Sequence, residues 1–591
     1  MEGDTMERRR AHEGRMWVAT VSVMGLFAGL FGRLCWIQGK EADTYRALAR
    51  EQHYAHVPLM VRRGTIYDAV GRELAVSTEV PSIYANARLI RDKKSVARRL
   101  ARLLGIDGGA LLERLERRHE RVCLKDNLTI EELEALDPLT LRRRFGEGLT
   151  VTDGGLYAAP EQMVNPAWVA EELAPLLSRD AAAVEAELRG YFQFIWVRRK
   201  VTEAECQRVL RAPGLTGVGV VPEYKRKYVH GELAGQLLGF VGIDENGLEG
   251  LELAFNDVLA GTPGYATFRR DAAGRYISDV GLPRREPEPG GDLELTVDTV
   301  VQSFAEGALA EAWEKWAPKA AMAVVIDPRT GDVLAAPSLP AFNPNRWPRY
   351  SGDERQERMR ARYVVSWLEP GSIMKPFVLS AALTEGVVDE GTVIDCENGV
   401  WIIGSRRFHD HHAYGDLTAA EVIIKSSNVG AAKIGTRLGP QRLHRYLRAF
   451  GFGQPTGFPL RGENPGLLRP PSQWTTYSLP SICIGQEICV NMVQTALAFA
   501  TIANDGVRMR PRLVRRIRDH DGQWRERPPQ AVTRVIPAPV ARRVRRVLLR
   551  TVEEGTGRRA KLELYSVGGK TGTAQKAIGG RMRHREVICS F

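Results

Sequence analysis

Glu369-Pro370-Gly371-Ser372-Ile373-Met374-Lys375-Pro376-Phe377-Val378-Leu379-Ser380-Ala381-Ala382-Leu383 is the stretch on which the reading of this chain turns. Pro370-Gly371 breaks the preceding segment, and Phe377 to Leu383 reads as a buried helix that stops at Gly386. Ser372 then falls in the first helical turn, where Pro376 is tolerated because its missing N–H lies near the unsatisfied end. Ser372 and Lys375 stand three apart and share one face of that turn. A serine hydroxyl is a weak nucleophile until a neighbour takes its proton. A lysine can do this only if it spends time neutral, which burial or a second positive charge brings about. The helix N-terminus also offers backbone N–H groups where an oxyanion would develop. Alone, the pattern reads more readily as an N-capping serine with a surface lysine.

Two further motifs remove that ambiguity. Ser426-Ser427-Asn428 and Lys570-Thr571-Gly572-Thr573 follow, each once and in that order. The three together read as a serine acyl-transfer site whose base is a lysine. Ser426 and Asn428 sit two apart after the apolar run Val422-Ile423-Ile424, in a loop that can aim a hydroxyl and an amide into a cleft. A simple helix cap is the alternative there. A phosphate-loop reading of Lys570 fails on spacing, because the glycine it requires is Leu564. A strand ending in Lys-Thr-Gly-Thr instead offers an ammonium, two hydroxyls and a backbone N–H to an anionic terminus. His409-Asp410-His411-His412 invites a zinc reading, but adjacent side chains rarely converge on one ion and no spaced Cys or His set accompanies them. A loop near the cleft is expected there; no metal and no cofactor is expected anywhere.

With Arg63-Gly64-Thr65-Ile66-Tyr67-Asp68, Gly568-Gly569 before Lys570, and Ala574-Gln575-Lys576 after Thr573, the chain resembles the class B penicillin-binding proteins over residues 16–591. The resemblance implies an α+β, multidomain fold: one N-terminal transmembrane helix, an elongated α+β pedestal, and a penicillin-binding/β-lactamase-like transpeptidase domain with an antiparallel sheet flanked by helices. It implies Ser372 as nucleophile and Lys375 as base, with Ser426 and Asn428 lining the site and Ser427 packed away. Lys570, Thr571, Gly572 and Thr573 would meet the carboxylate of the acyl donor, and the backbone N–H groups of Ser372 and Thr573 would form the oxyanion hole. The implied reaction is peptidoglycan D,D-transpeptidation: Ser372 attacks a D-alanyl-D-alanine stem peptide and passes the acyl group to an amine on a neighbouring stem. β-Lactams would acylate the same serine. A D,D-carboxypeptidase, a β-lactam hydrolase and a non-catalytic scaffold or β-lactam sensor are the alternatives. A glycosyltransferase partner and division or elongation complex proteins are implied, and the Lys570 context leans towards the division and sporulation branch.

The front of the chain reads as a membrane anchor. Arg8-Arg9-Arg10 and Arg15 precede the apolar run Met16 to Ile37, interrupted only by Arg33. At 1.5 Å per residue the run spans about 33 Å, enough for a bilayer core. The basic flank predicts residues 1–15 in the cytoplasm, 16–38 as a single pass through the bacterial inner membrane, and the body outside or in the periplasm. A cleavable signal peptide is the alternative. With 591 residues and 44% hydrophobic content, two or three domains are expected. The net charge of +12 raises nucleic acid, but the arginines are scattered along amphipathic patterns, so a solvated surface and no nucleic-acid partner is the expectation. The seven cysteines show no metal spacing and read mostly as buried thiols; Cys483 and Cys489 could pair.

Residues 39–285 are expected to form the pedestal and 290–591 the transpeptidase domain, divided at the charged, Pro/Gly-rich stretch Pro283 to Gly291. Within the pedestal, Ser82-Ile83-Tyr84-Ala85 aligns with Gly155-Leu156-Tyr157-Ala158 at an offset of 73, and the register holds through Val96-Ala97 with Val169-Ala170 and Leu128-Thr129 with Val201-Thr202. A duplicated unit at 81–133 and 154–206 is expected, which the family usually carries once. Two departures from the family stand out. Glu487 occupies a position where relatives usually carry glycine, and Val587 to Phe591 reads as the opening of a further strand, so the sequence is expected to be incomplete at its C-terminus.

Overall fold

The computed structural model describes most of residues 54–591, the omissions falling within 88–193, 271–283, 520 and 579–580; of the first 53 residues it describes 24, 25, 27–36 and 38. The expected span 16–38 therefore lies partly outside the described residues. Its described part is helical, and among the described residues no helix is long and apolar enough to cross a membrane.

The chain divides into two compact units. In the first, Tyr54–Leu59 pairs antiparallel with Gly264–Arg270, against which Tyr276–Ile277 and Arg284–Arg285 also pair.

The second unit comprises Arg62–Gly261 and Pro289–Phe591. Its largest sheet runs in the order Trp524–Glu526, Val514–Arg518, Leu293–Leu295, Ile66–Tyr67, Glu73–Ala85, Ile195–Arg198, with Val218–Tyr228 also paired to Glu73–Ala85. Leu293-Glu294-Leu295 is buried at all three positions, as a strand covered on both faces must be. It lies just past Pro283–Gly291, the stretch read as a domain boundary, and pairs with Ile66–Tyr67 on one side and Val514–Arg518 on the other. The sheet is thus continuous across that stretch.

Helix Lys375–Thr384 forms the middle of the main core. Nine of its residues are buried, and Ala419–Ile424, Asn428–Leu438, Pro440–Phe450 and Ala538–Glu553 pack around it. Phe377 anchors it, with the rings of Phe450, Phe452 and Phe499 at 5.0, 5.2 and 5.0 Å. Burial all round explains why its sequence shows no polar stripe.

An antiparallel sheet is expected for the catalytic region, and Leu293–Leu295, Val514–Arg518 and Trp524–Glu526 lie side by side as antiparallel neighbours in the large sheet; the other described strands of that region form isolated pairs. Ala321–Met322 pairs with Ser338–Leu339, Val325–Ile326 with Val333–Ala335, and Gly572–Ile578 with Arg581–Ser590, each as a separate pair. In the first two of these pairs the strands have two or three residues, with a register shift between Val325 and Ile326, and give too few ladder bonds to propagate a wider sheet. The helix that precedes them in the chain spans Thr299–Trp316, with Asp298 capping it through Val300 N–H. Cys483 and Cys489 do not pair; both are free thiols.

Candidate active site

Ser372 sits on a 3-10 turn, Gly371–Met374, that feeds helix Lys375–Thr384. The turn replaces the first α-helical turn read from sequence because Gly371 enters it at φ +58°. A side chain there would crowd the Thr573 carbonyl at 3.1 Å, so glycine serves both the dihedral and the close approach. Pro376 lies at the start of the helix, where its lost donor is one of the orphans anyway. Ser372 is part-exposed and within reach of a ligand, whereas Lys375 is fully buried.

Lys375 Nζ donates to three acceptors: the Ser426 carbonyl at 2.6 Å, Asn428 Oδ1 at 2.8 Å and Ser426 Oγ at 3.2 Å. Lys570 Nζ, also buried, donates to Ser426 Oγ at 2.8 Å and to the Thr571 carbonyl at 2.9 Å. Two ammonium groups therefore share one serine hydroxyl. Burial pushes the Lys375 ammonium well below the usual lysine range and the neighbouring Lys570 charge adds to it, while Asp410 opposes both. Burial brings Lys570 to about 7. Among the described residues no hydrogen bond joins the Ser372 hydroxyl to Lys375.

Local sequence explains how Ser426 and Asn428 reach the lysine. Helix Ala419–Ile424 is opened by a Thr418/Glu421 capping box, and after it Ser426 takes φ +63°, which turns its carbonyl inward. Ser427 is the N-cap of helix Asn428–Leu438, accepting from Gly430 N–H at 2.9 Å, and is fully buried. Asp410 completes the cap. Its carboxylate accepts from Ser427 Oγ at 2.7 Å, from Val429 N–H at 3.0 Å and from Asn428 N–H. Asn428 Nδ2 donates to the His409 carbonyl at 2.8 Å. The histidine-rich loop thus supplies a carboxylate and a carbonyl to the site. The sequence reading set a metal site aside for a loop near the cleft; nothing in the spacing announced a cap for a helix beginning eighteen residues after Asp410.

Lys570 and Thr571 lie just before strand Gly572–Ile578 rather than at the end of one, a correction to the sequence reading. The strand packs on the Ser372 turn, Gly572 lying against Ile373. Thr571 Oγ1 donates to Thr556 Oγ1 at 3.0 Å, a partner the sequence did not suggest, and Thr573 is exposed. Lys375, Ser426, Asn428 and Lys570 are thus joined in one hydrogen-bonded network. Ser372, Thr571, Gly572 and Thr573 lie at its margin.

The sequence matches the family described as penicillin binding protein transpeptidase domain over residues 321–591, and that of the penicillin-binding protein dimerisation domain over residues 148–295. A protein of Pseudomonas aeruginosa named a probable peptidoglycan D,D-transpeptidase, PbpC, is 33% identical over 471 residues, 78% of this chain and 80% of that protein. Stage V sporulation protein D of Bacillus subtilis is 33% identical over 442 residues, 74% of this chain and 68% of its own. The crystal structure of penicillin binding protein 3 of Mycobacterium tuberculosis complexed with aztreonam is similar at a TM-score of 0.55 and 32% identity, covering 61% of this chain and 79% of the other. A peptidoglycan synthetase of Bifidobacterium adolescentis is similar at 0.60 and 27%, covering 90% and 88%. Identity at that level across most of the chain leaves one reading: the chain belongs to the class B penicillin-binding proteins and is a peptidoglycan D,D-transpeptidase.

Proposed function

We propose that Ser372 is the acylated nucleophile and Lys375 its base. Ser372 Oγ attacks the carbonyl carbon of the penultimate D-alanine, and its proton passes to neutral Lys375 Nζ. The tetrahedral oxyanion is met by the backbone N–H groups of Ser372 and Thr573. The C–N bond then breaks, and the proton reaches the departing D-alanine amine through Ser426 Oγ. An amine of a neighbouring stem peptide attacks the acyl-Ser372 ester, gives its proton back along the same path and frees the serine. Asn428 orients the substrate amide, and Lys570, Thr571, Gly572 and Thr573 meet its terminal carboxylate. The observation that carries this reading is the burial of Lys375 beside a second ammonium, which gives the base a neutral fraction. The neutral Lys375 amine turns from Ser426 to Ser372 when substrate binds, since catalytic hydrogen bonds in free enzymes are commonly loose.

Around this chemistry, residues 16–38 anchor the chain in the bacterial inner membrane with residues 1–15 inside. Residues 39–285 form the pedestal and 290–591 the catalytic domain outside. A glycosyltransferase partner makes the glycan strand, and of service in division or sporulation, the latter fits the name of the Bacillus subtilis relative. The test is labelling with a fluorescent penicillin followed by assay of cross-linked product. Labelling together with cross-links supports a transpeptidase. Labelling with only released D-alanine leaves a carboxypeptidase, and no labelling leaves a scaffold.

A further inference from the structure

Segment Gly485–Val490 runs alongside the residues that precede Ser372. Gly371 N–H donates to the Gly485 carbonyl at 3.0 Å, and Leu368 and Val490 exchange backbone bonds of 3.0 and 2.9 Å. At Gly485, φ +76°, a Cβ would overlap the Gly371 carbonyl. Two residues on, Glu487 adopts φ +58°, a conformation side chains seldom take without compensation. The compensation is visible. Its N–H donates to Glu369 Oε1 at 2.9 Å, and its carboxylate accepts from Ser478 Oγ at 2.7 Å and Arg469 Nη2 at 2.9 Å, with Arg406 Nη1 at 3.6 Å. Arg406 also donates to Ser481 Oγ at 3.0 Å and Gln486 Oε1 at 3.2 Å, and lies over the Phe408 ring. Arg406–His409 is the hairpin strand whose end supplies the His409 carbonyl to Asn428.

We propose that Glu487 is a positioning residue, which ties the strand delivering His409 and Asp410 to the segment delivering Ser372 and so fixes the nucleophile against Asn428. It touches neither substrate nor reacting atoms. The proposal rests on Ser372 as nucleophile, so Ser372→Ala is the control; residual labelling there sinks that reading and not this one. The test is the second-order acylation constant of the full chain with penicillin, measured beside its thermal midpoint. Glu487→Gly removes the carboxylate and relieves the backbone, so the midpoint holds or rises while acylation slows by about tenfold, a misplacement effect. Glu487→Asp recovers part of the rate. Glu487→Gln combined with Arg406→Gln is no slower than Arg406→Gln alone, because the two act through one tie. Wild-type acylation by Glu487→Gly, or a loss that merely follows a lowered midpoint, overturns the proposal.

An independent observation concerns the pedestal. Strand Gly155–Ala158, helices Pro166–Leu177 and Ala181–Leu188, and strand Ile195–Arg198 begin 73 residues after residue 82, helices Lys93–Leu104 and Gly108–Glu116, and strand Val122–Lys125. Buried residues repeat at the same offset: Ile83 with Leu156, Leu100 with Leu173, and Leu115 with Leu188. The pairing is crossed. Ile195–Arg198 closes on the end of Glu73–Ala85, and Val122–Lys125 closes on Gly155–Ala158, with matching partners: Ile83↔Arg198 and Lys125↔Leu156, Tyr84↔Trp196 and Cys123↔Tyr157, Ala85↔Ile195 and Val122↔Ala158. Even the register shift falls at the same step. One core joins the first helices to Ile195 and Val197, and the other lies wholly between Leu124 and Leu188.

We infer that the pedestal holds two copies of one lobe that have exchanged their last strands, which makes residues 122–194 a contiguous accessory lobe, dispensable for acyl transfer. The removable piece is therefore 122–194 and neither 81–133 nor 154–206. In the full chain lacking 122–194, Arg121 meets Ile195 as it met Val122, the first core stays closed, and penicillin acylation stays within about threefold of wild type, inside the scatter of mutations remote from chemistry. Lacking 122–198, the first core loses its closing strand and cooperative unfolding is lost. A second measurement needs no deletion: Leu173→Ala, in the accessory core, leaves acylation unchanged. An unfolded chain lacking 122–194, or slowed acylation in Leu173→Ala, overturns the inference.

Discussion

Three acceptors hold the Lys375 ammonium, and Lys570 shares one of them, so Lys375 titrates in the field of Lys570. Ser372→Ala should abolish covalent labelling by penicillin, since the nucleophile is gone. Lys375→Ala should come close to it, because Lys570 is held by Ser426 Oγ and the Thr571 carbonyl and Asp410 by the cap of helix Asn428–Leu438, so neither is placed to take the Ser372 proton. Ser426→Ala should slow acylation by about 10²–10⁴-fold, the usual range for acid–base assistance. Undiminished labelling of Lys375→Ala would defeat the lysine-base mechanism. The pH profile follows from signs. Acylation falls on the acid side as Lys375 gains its proton. With Lys570 at about 7, it falls on the alkaline side as the carboxylate anchor loses its charge. Lys570→Arg keeps its charge and should carry that alkaline limb upward; a profile unmoved by it would remove Lys570 from the anchor role. Stability runs the opposite way on that side. The folded Lys570 binds its proton more weakly than the unfolded one at 10.5, so the unfolded chain holds the extra proton between these values and folding stability rises with pH across that window.

At the scale of elements, the site depends on one place where backbones approach too closely for a side chain and on one helix cap. Gly485→Ala should destabilise by more than about 1 kcal/mol, because φ is positive and the new Cβ overlaps the Gly371 carbonyl. Urea unfolding measures that, and acylation should fall with it because the Ser372 turn is displaced. A variant as stable as wild type would mean the strap moves freely. The cap of helix Asn428–Leu438 is the other element. Ser427→Ala removes the acceptor for Gly430 N–H and the donor to Asp410, and should cost about 1 kcal/mol, typical of a lost N-cap.

Across the whole molecule, one buried carboxylate joins distant parts of the chain. Glu252 is fully buried and accepts from Arg63 Nε and Arg226 Nε, both at 2.6 Å, while Arg226 Nη1 donates to the Gly64 carbonyl at 2.7 Å. Glu252→Gln should destabilise by about 3–5 kcal/mol, because it leaves two buried guanidinium groups without their charge partner. Burial alone would raise the Glu252 carboxyl, but the two guanidinium groups win and hold it below its usual value of 4.5. Its contribution is therefore complete above pH 4.5 and is lost as pH falls through the folded value. A thermal midpoint in Glu252→Gln equal to wild type at pH 7 would remove this group from the stability account. The motifs Ser372-Ile373-Met374-Lys375, Ser426-Ser427-Asn428 and Lys570-Thr571-Gly572-Thr573, the helix behind Ser372 and the offset of 73 were all legible in the chain, because each is a local spacing or a periodic repeat. The Asp410 cap, the Glu487 tie, the sheet running through Leu293–Leu295 and the exchanged strands were not. Each joins residues whose separation is set by where the folded chain returns, and no spacing rule along a sequence encodes that distance.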